Sequence, residues 1–554
     1  LDQGVVVILS TIPPMHGFDE KVQQAVEVQR RIATEMNLPL IDFYAHVVNR
    51  RPEDWDGTLK RFEAFGQWEV PTIISKDGVH PSNPGPWKND FSEEGLARNG
   101  NVLRSYLTLM AYAEVIHVVI HGKPPTTVSS TILGPSPPKP VNLPEIDSSS
   151  LRMPEESLPT PLPVEGWFPE APPLPKPTGH TVAVNTVREL FDAVESVKPG
   201  GTILLADGVY RMPRTLVIKT DGVTLRSRSG DRTQVVLEFA DCRHHEGVAV
   251  SYCKDVTIAD LTVQNVRQNG IKINSNYNVD RVTIYNVISH NVWQRHIKGP
   301  RVPDEDGEPR FVEGCRVQFC LFYNDRPKRR GDEPWEDSES RMGFNYIGGM
   351  DIMSAKGWVI SDNVFTEIHG KTGEARGAIF LWHNATDCVI ERNVILDCDT
   401  GICLGNSSAR GERRHANGVI VRNNFIVRCN ECNILAAHTR NCKVVNNTVH
   451  DPLTKNGRLL RAVHANDGLV VAHNIFSGPR IVTESNEGPI TVRNNLIEPL
   501  DDYFADVDAG DLHLTSKAIK AIDKAAAHQD VPDDFDGRER LAQPDLGADE
   551  WQPD

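Results

Sequence analysis

The sequence has no block of Lys or Arg, no apolar run approaching the length of a membrane span, and no cysteine outside the stretch from Cys242 to Cys442. Nor does it have a Met or a basic leader at its start. The first absence argues against nucleic acid as a partner, because phosphate binding needs a basic footprint and the net charge is −16. An acidic glycan remains open as a partner where local Lys, Arg or a bridging cation is supplied. The second absence leads us to expect no membrane span. Cys429 and Cys432 read C-x-x-C, but no second pair follows at finger spacing, and Cys388, Cys398, Cys403 and Cys442 sit in apolar runs as small hydrophobes would. Cysteine usage therefore leaves the redox compartment open. The opening Leu1-Asp2-Gln3 runs straight into Val5-Val6-Val7-Ile8-Leu9, so the numbering is expected to begin partway through a longer polypeptide.

What is present divides the 554 residues into several parts, too many for one core. Residues 1–122 read as α/β. The opening apolar run is a buried strand, Asp19 to Met36 has helical periodicity, Leu40 to Tyr44 is a second strand, and Ser92 caps a final helix with Glu93 and Glu94 in its first turn. Residues 123–178 hold 16 prolines and read as a linker. Residues 179–500 begin with an amphipathic helix, Thr186 to Val197, and then repeat, with 501–554 as a C-terminal extension.

The repeat is a short strand in which Asn, or a stand-in, precedes an apolar pair: Val282 to Val287, Val359 to Val364, Val389 to Val394, Val419 to Phe425, Val444 to Val449, Val470 to Phe476 and Thr491 to Leu496. Such a unit cannot bury its inner face alone, but stacked turns make one continuous core. Asn at one corner suits a left-handed bend and could form a hydrogen-bonded ladder. The predicted class is mainly β, a right-handed parallel β-helix with a smaller N-terminal α/β part.

The lead-in helix, the segment Gly200-Gly201-Thr202-Ile203-Leu204-Leu205-Ala206-Asp207-Gly208-Val209-Tyr210 and the Asn-marked turns resemble the pectate-lyase-like family of parallel β-helix proteins over about residues 180–500. Asp545 to Trp551 looks like the terminal motif of bacterial members. The likeness implies a fold on which lyases, hydrolases, epimerases and adhesins are all built. In the first region Asp77-Gly78-Val79-His80-Pro81, with Ile12-Pro13-Pro14 and Leu38 to Tyr44, resembles the second half of SGNH (GDSL-type) hydrolases. That likeness implies that Asp77 orients His80 toward a Ser nucleophile. The family's nucleophile motif belongs upstream of Val5, so no esterase activity is expected from this chain.

Aligning the turns on their Asn landmarks places Lys272 twelve residues after Asp260 and Lys298 twelve after Asn286. Lys272, Lys298 and Asp351 should then stack as an outward charged stripe. His383, Asn406, His438 and His464 should form a polar column beside Trp382. Two long loops should flank this face: Asn324 to Tyr346, carrying Arg326, Lys328, Arg329, Arg330, Asp332, Glu333 and Trp335, and His369 to Arg376, carrying Lys371, Glu374 and Arg376. β-Elimination from a uronic acid needs its carboxylate neutralised by Lys, Arg or Ca²⁺, and Lys, His or Arg as base. Glycoside hydrolysis needs two carboxylates, for which Asp351, Glu367 and Glu374 are candidates. The expected catalytic residues are Lys272, Lys298, Asp351, Glu374, His383 and His438. Arg326, Trp335, Arg376, Trp382 and Asn406 are expected to bind substrate. The expectation is an extracellular or periplasmic, monomeric enzyme cleaving a polysaccharide, by elimination first, with Ca²⁺ as the candidate cofactor. The alternatives are a glycoside hydrolase on the same scaffold and a non-catalytic glycan-binding or surface-attachment β-helix.

Overall fold

The computed structural model describes residues 7–36, 38–126, 164, 166–242, 244–306, 308–333, 345–409, 414–454, 456–500 and 502–553. The chain forms two compact units, Leu1–Ser148 and Ser149–Asp554.

In the first unit, strand Leu9–Ser10 pairs in parallel with Leu40–Ile41. Helix Asp19–Glu35 follows the expected periodicity, and Ser92 accepts from Gly95 N to cap helix Glu93–Arg98. The second strand is shorter than expected. The Asp42 carboxylate accepts from Ala45 N, and this cap starts helix Phe43–Arg50 where Phe43 and Tyr44 had been read as strand. The helical segment Gly100–Val119 is long and apolar enough to cross a membrane by length and composition only, a run the sequence reading did not pick out. Within it Leu103, Leu107 and Ala111 pack with Ile41, Val47 and Ile73 in the core of this unit.

The second unit is built of stacked parallel strands. One stack runs from Thr181–Val184 to Ile490–Arg493, a second from Gly208–Arg211 to Leu496–Ile497, and a third from Leu216–Ile218 to Val482–Glu487. Each strand pairs with its counterpart one turn away, as Val359–Ser361 does with Val389–Glu391 and Ile379–Trp382 with Thr400–Leu404. This register is a parallel β-helix. Its interior is one continuous core containing Ile284, Ile297, Met350, Ile379, Ile402 and Ile434, all fully buried. No turn owns this core; each one's inward row is covered by the rows above and below.

The Asn landmarks form a buried ladder. Asn363 donates to Asn393, Asn393 to Asn424, Asn424 to Asn447, Asn447 to Asn474 and Asn474 to Asn495, at 2.9–3.0 Å. The left-handed residue is the one ahead of each ladder Asn: Asp362, Arg392, Asn423, Asn446, His473 and Asn494 all have φ between 50° and 59°. The bend therefore falls one position earlier than expected. The ladder Asn instead lies inside, where its amide satisfies carbonyls that water cannot reach. Asn286 is itself left-handed, at φ 51°, and donates to Asp260, so it stands one position ahead of the ladder column.

Part of the Pro-rich stretch is strapped to the solenoid. Arg226 donates to Pro175 O and Tyr285 to Pro172 O. The C-terminal extension folds over the outer side of the second stack, where Leu512, Leu514 and Phe535 pack on Leu321, Val394 and Phe425. Phe535 stacks on Phe425 with ring centroids 3.9 Å apart.

Candidate functional site

The predicted charged stripe exists as a register. Lys272 pairs with Lys298, and Lys298 with Asp351, on successive strands of the third stack. It is a buried ion cluster, not an open groove. Asp351 is 1% exposed, and its Oδ2 accepts from Lys298 Nζ at 2.7 Å and Arg295 Nε at 3.1 Å. Its Oδ1 accepts from Trp382 Nε1 at 2.8 Å. Burial pushes this carboxyl upward, but Arg295 and Lys298 override it and hold the group below its usual range. Lys272 is taken by Glu246 at 2.7 Å. Asp351, Lys298 and Lys272 thus brace the solenoid's flank, and both Asp351 oxygens are engaged by protein donors. Arg295 was missed because it lies three residues ahead of Lys298, on a strand where alternation breaks.

Two cations of the basic insertion are likewise paired within it. Arg326 makes two bonds to Asp332 and lies over the Trp293 ring at 4.1 Å, so it is a structural strut and not a free substrate ligand. Lys328 is buried against Glu333, which also accepts from Gln294. Trp335 lies outside the described residues.

The histidine column forms, with one change of member. Trp382 lies 4.0 Å from His383, His415 lies 4.9 Å from His438, and His438 stacks on His464 at 4.9 Å. His415 takes the place expected of Asn406, whose backbone N–H donates to the His415 ring and whose side chain accepts from Ser408 N. The sequence signal was hidden because His415 stands nine residues after Asn406, outside the strand-end spacing of the other turns. His438 is 6% exposed. His383 and His415 line a cavity of about 370 Å³ with Arg301, Arg310 and Arg414, apart from the cleft described next.

Beyond Asp351 the outward column continues as Phe380, Cys403, Leu435 and Arg461. Here the face opens into a cleft of about 340 Å³, lined among others by Glu374, Arg376, Thr400, Glu431, Leu435 and Arg461. Its floor is apolar, with Cys403 and Cys432 packed in a cluster that includes Phe380 and Trp382. Burial pushes the Cys403 thiol up to about 12, so it is a floor residue and not a nucleophile. Phe380 and Trp382 stack on each other at 5.3 Å, and Trp382 donates to Asp351, so this tryptophan braces the cluster.

The loop carrying Glu374 and Arg376 is fixed from below. Asp399 accepts from His369 Nδ1 at 2.7 Å and from Gly370 N and Ala375 N at 2.8 Å. Burial lowers the His369 pKa, but Asp399 and Glu367 raise it further, to about 9. Asn345 donates to Thr372 Oγ1 and Glu374 Oε2, tying the end of the insertion to the same loop. Across the cleft Glu431 accepts from Arg458 at 2.7 Å and Asn456 at 2.5 Å. Arg461 is 3.8 Å from Glu484. Among the described residues the Arg376 guanidinium has no side-chain partner, and it is half-buried at the cleft wall. Of the predicted site residues, Glu374 and Arg376 are brought together here. Glu431 and Arg461 were missed as cleft residues.

In the first unit, His80 Nδ1 lies 2.8 Å from Asp77 Oδ2, and Asp77 also accepts from Ser75 Oγ, Val79 N and His80 N. Burial raises the Asp77 pKa, but these donors hold the carboxyl well below its usual range.

Comparison with known proteins adds one family match: a model described as periplasmic copper-binding protein NosD matches residues 336–499, less than half of the chain. No curated protein matches. Among solved structures, the chain is similar to a pectate lyase, Pel9A, at 14% identity over 65% of this chain and 90% of that one, with a TM-score of 0.35. It is similar to an alginate lyase from a Paenibacillus strain at 10% identity over 57% and 99%, with a TM-score of 0.32. A lacto-N-biosidase from Eubacterium ramulus is similar at 12% identity over 58% and 68%, with a TM-score of 0.33.

Proposed function

We propose that the β-helix unit is a carbohydrate-active enzyme that cleaves an acidic polysaccharide in the cleft between Glu374, Arg376, Glu431 and Arg461. The observation that carries this reading is the half-buried Arg376 guanidinium, without a partner among the described residues, on the same cleft wall as Glu374 and facing a floor able to take a sugar ring. An unpaired arginine in such a place suits a carboxylate, which it can hold through two parallel bonds.

The acid–base inventory of the cleft favours glycoside hydrolysis. Glu374 accepts from Asn345 and Thr372 on one wall. Glu431 is paired with Arg458 at 2.7 Å on the other wall. Two carboxylates lining one cleft are what glycoside hydrolysis requires. β-Elimination, favoured from the sequence, is the second reading: Arg376 would neutralise the uronate, while Lys298 and His383, its expected base candidates, lie outside the cleft. Incubation with a panel of uronic-acid polysaccharides distinguishes the two. New reducing ends without an unsaturated product support hydrolysis, ultraviolet absorbance of an unsaturated uronate supports elimination, and silence across the panel supports glycan binding alone. Glu431→Gln should lower kcat by about 10²–10⁴. Arg376→Ala should raise KM by about 10–100-fold, with Arg376→Lys between it and the native enzyme. Unchanged kinetics in both would remove the site.

The matching family's description supports an exported, periplasmic or extracellular location. It also names copper, which the histidine column does not fit. There His438 and His464 present ring faces to each other with planes 16° apart, and no three donors in that column converge among the described residues. For the first unit, the Asp77–His80 pair supports reading residues 1–122 as part of an SGNH-type hydrolase. No hydroxyl bonds to His80 among the described residues, so this chain is expected to be silent toward acetyl esters.

A further inference from the structure

The C-terminal extension carries a cluster unrelated to the cleft. His513 lies on strand Asp511–Leu514, Asp536 in the turn before Arg538, and Asp549 beside Glu550 near the chain end. One ligand atom from each of His513, Asp536 and Asp549 lies within 4.8 Å of the other two. They line a cavity of about 600 Å³ together with Trp167, Glu550 and Trp551.

We propose that His513, Asp536 and Asp549 form a binding site for a divalent transition ion of the zinc type, which ties together the parts of the C-terminal extension that pack on the second strand stack.

Three observations carry this. Asp511 Oδ1 lies 2.6 Å from His513 Nδ1 and turns Nε2 to the cluster, where it lies 3.2 Å from Asp536 Oδ1 and an ion would take the place of its proton; carboxylates orient metal-binding imidazoles in this way. Asp549 is 3% exposed, and its Oδ2 is satisfied by Leu514 N at 2.7 Å, so the other oxygen is left to the cluster. Independently, Glu550 lines the same cavity at 1% exposure, and its Oε1 has no hydrogen-bond partner although Oε2 accepts from Arg540 and Asp545 N. A buried carboxylate oxygen without a donor is costly unless a cation faces it. The nearby Arg538 and Arg540 are engaged by Asp536 and Glu550. One imidazole with two carboxylates suits zinc or manganese better than calcium, which takes oxygen ligands. Trp167 packs 5.8 Å from His513 and 6.2 Å from Phe535, so an ion here would pin the strapped end of the Pro-rich stretch as well.

The test uses the full chain, stripped with EDTA and dialysed against zinc sulfate, with bound metal quantified and thermal unfolding followed. One zinc per chain is expected, with a raised Tm, and cobalt in its place should give a visible absorption band. Asp549→Asn and Asp536→Asn should each lose that zinc, and Asp511→Asn should weaken it by about 10–100-fold. His464→Gln, in the histidine column, should keep it. Asp536 has a partly exposed side chain, so its variant serves if Asp549→Asn does not fold. Native protein holding no zinc, or Asp536→Asn holding as much as native, overturns the proposal and leaves a cluster neutralised by an imidazolium alone.

Discussion

Lys298 Nζ donates to Asp351 Oδ2 across 2.7 Å, and the carboxylate it reaches is 1% exposed. Arg295 shares the same oxygen. Removing the acid leaves two cations with nothing to face, which in a buried setting costs about 3–5 kcal/mol. Asp351→Ala should therefore lower unfolding free energy by that amount in urea titration. Lys298→Met should cost less, because Arg295 remains and Lys298 itself reaches partial exposure. Equal and small losses would mean that the cluster contributes no cohesion.

The Asn ladder predicts a gradient along the solenoid. Asn424 is fully buried and donates to Ile390 O, Arg422 O and Asn447, while accepting from Asn393. Its truncation strands several buried groups, each worth about 1–3 kcal/mol. Asn495 ends the ladder and is half-buried, so its carbonyl partners recover water. Chemical denaturation should rank Asn424→Ala well below Asn495→Ala in stability; the reverse order would count against the ladder as a source of cohesion.

The His369–Asp399 pair sets a pH dependence. The folded pKa of His369 is raised to about 9 from an ordinary 6.5. Protonated His369 thus favours the folded state. This contribution is complete below about pH 6.5 and is lost as pH rises through about 9, and is worth on the order of 3 kcal/mol. Tm should fall between pH 7 and 9.5, and Asp399→Asn should flatten that slope. Since Asp399 also anchors Gly370 and Ala375, the same variant should raise KM for any cleft substrate.

All ten cysteines are free and buried. Burial pushes the thiols of Cys315, Cys320 and Cys388 up to about 12. A chromogenic thiol reagent should find no fast-reacting group in the native protein and ten after denaturation. Rapid native modification of even one would contradict this core.

Much of the solenoid was legible because its signals are local and repeated. The alternation of Val359-Ile360-Ser361, the recurring Asn and the lead-in helix each act within one turn, and repetition multiplied them. The register that pairs Lys272, Lys298 and Asp351 followed from the same spacing. Reading these residues as a groove failed because alternation tells which way a side chain leaves the strand and not what lies beyond it. Arg295 and Trp382 close over Asp351, and neither is near it in sequence.

By itself, the sequence determined the coil, the place of its inward rows and the column in which the charged residues stand, since each depends on side-chain periodicity and neighbouring backbone conformation. Tertiary structure alone decided which outward residues are paired and buried and which line a cleft. Among the described residues Arg376 lacks a side-chain partner, Glu431 lines the same cleft from another turn, and Glu550 keeps an unsatisfied oxygen, because loops separated by tens of residues converge or fail to do so. Charge pairing is a property of that convergence in space, which no local pattern encodes.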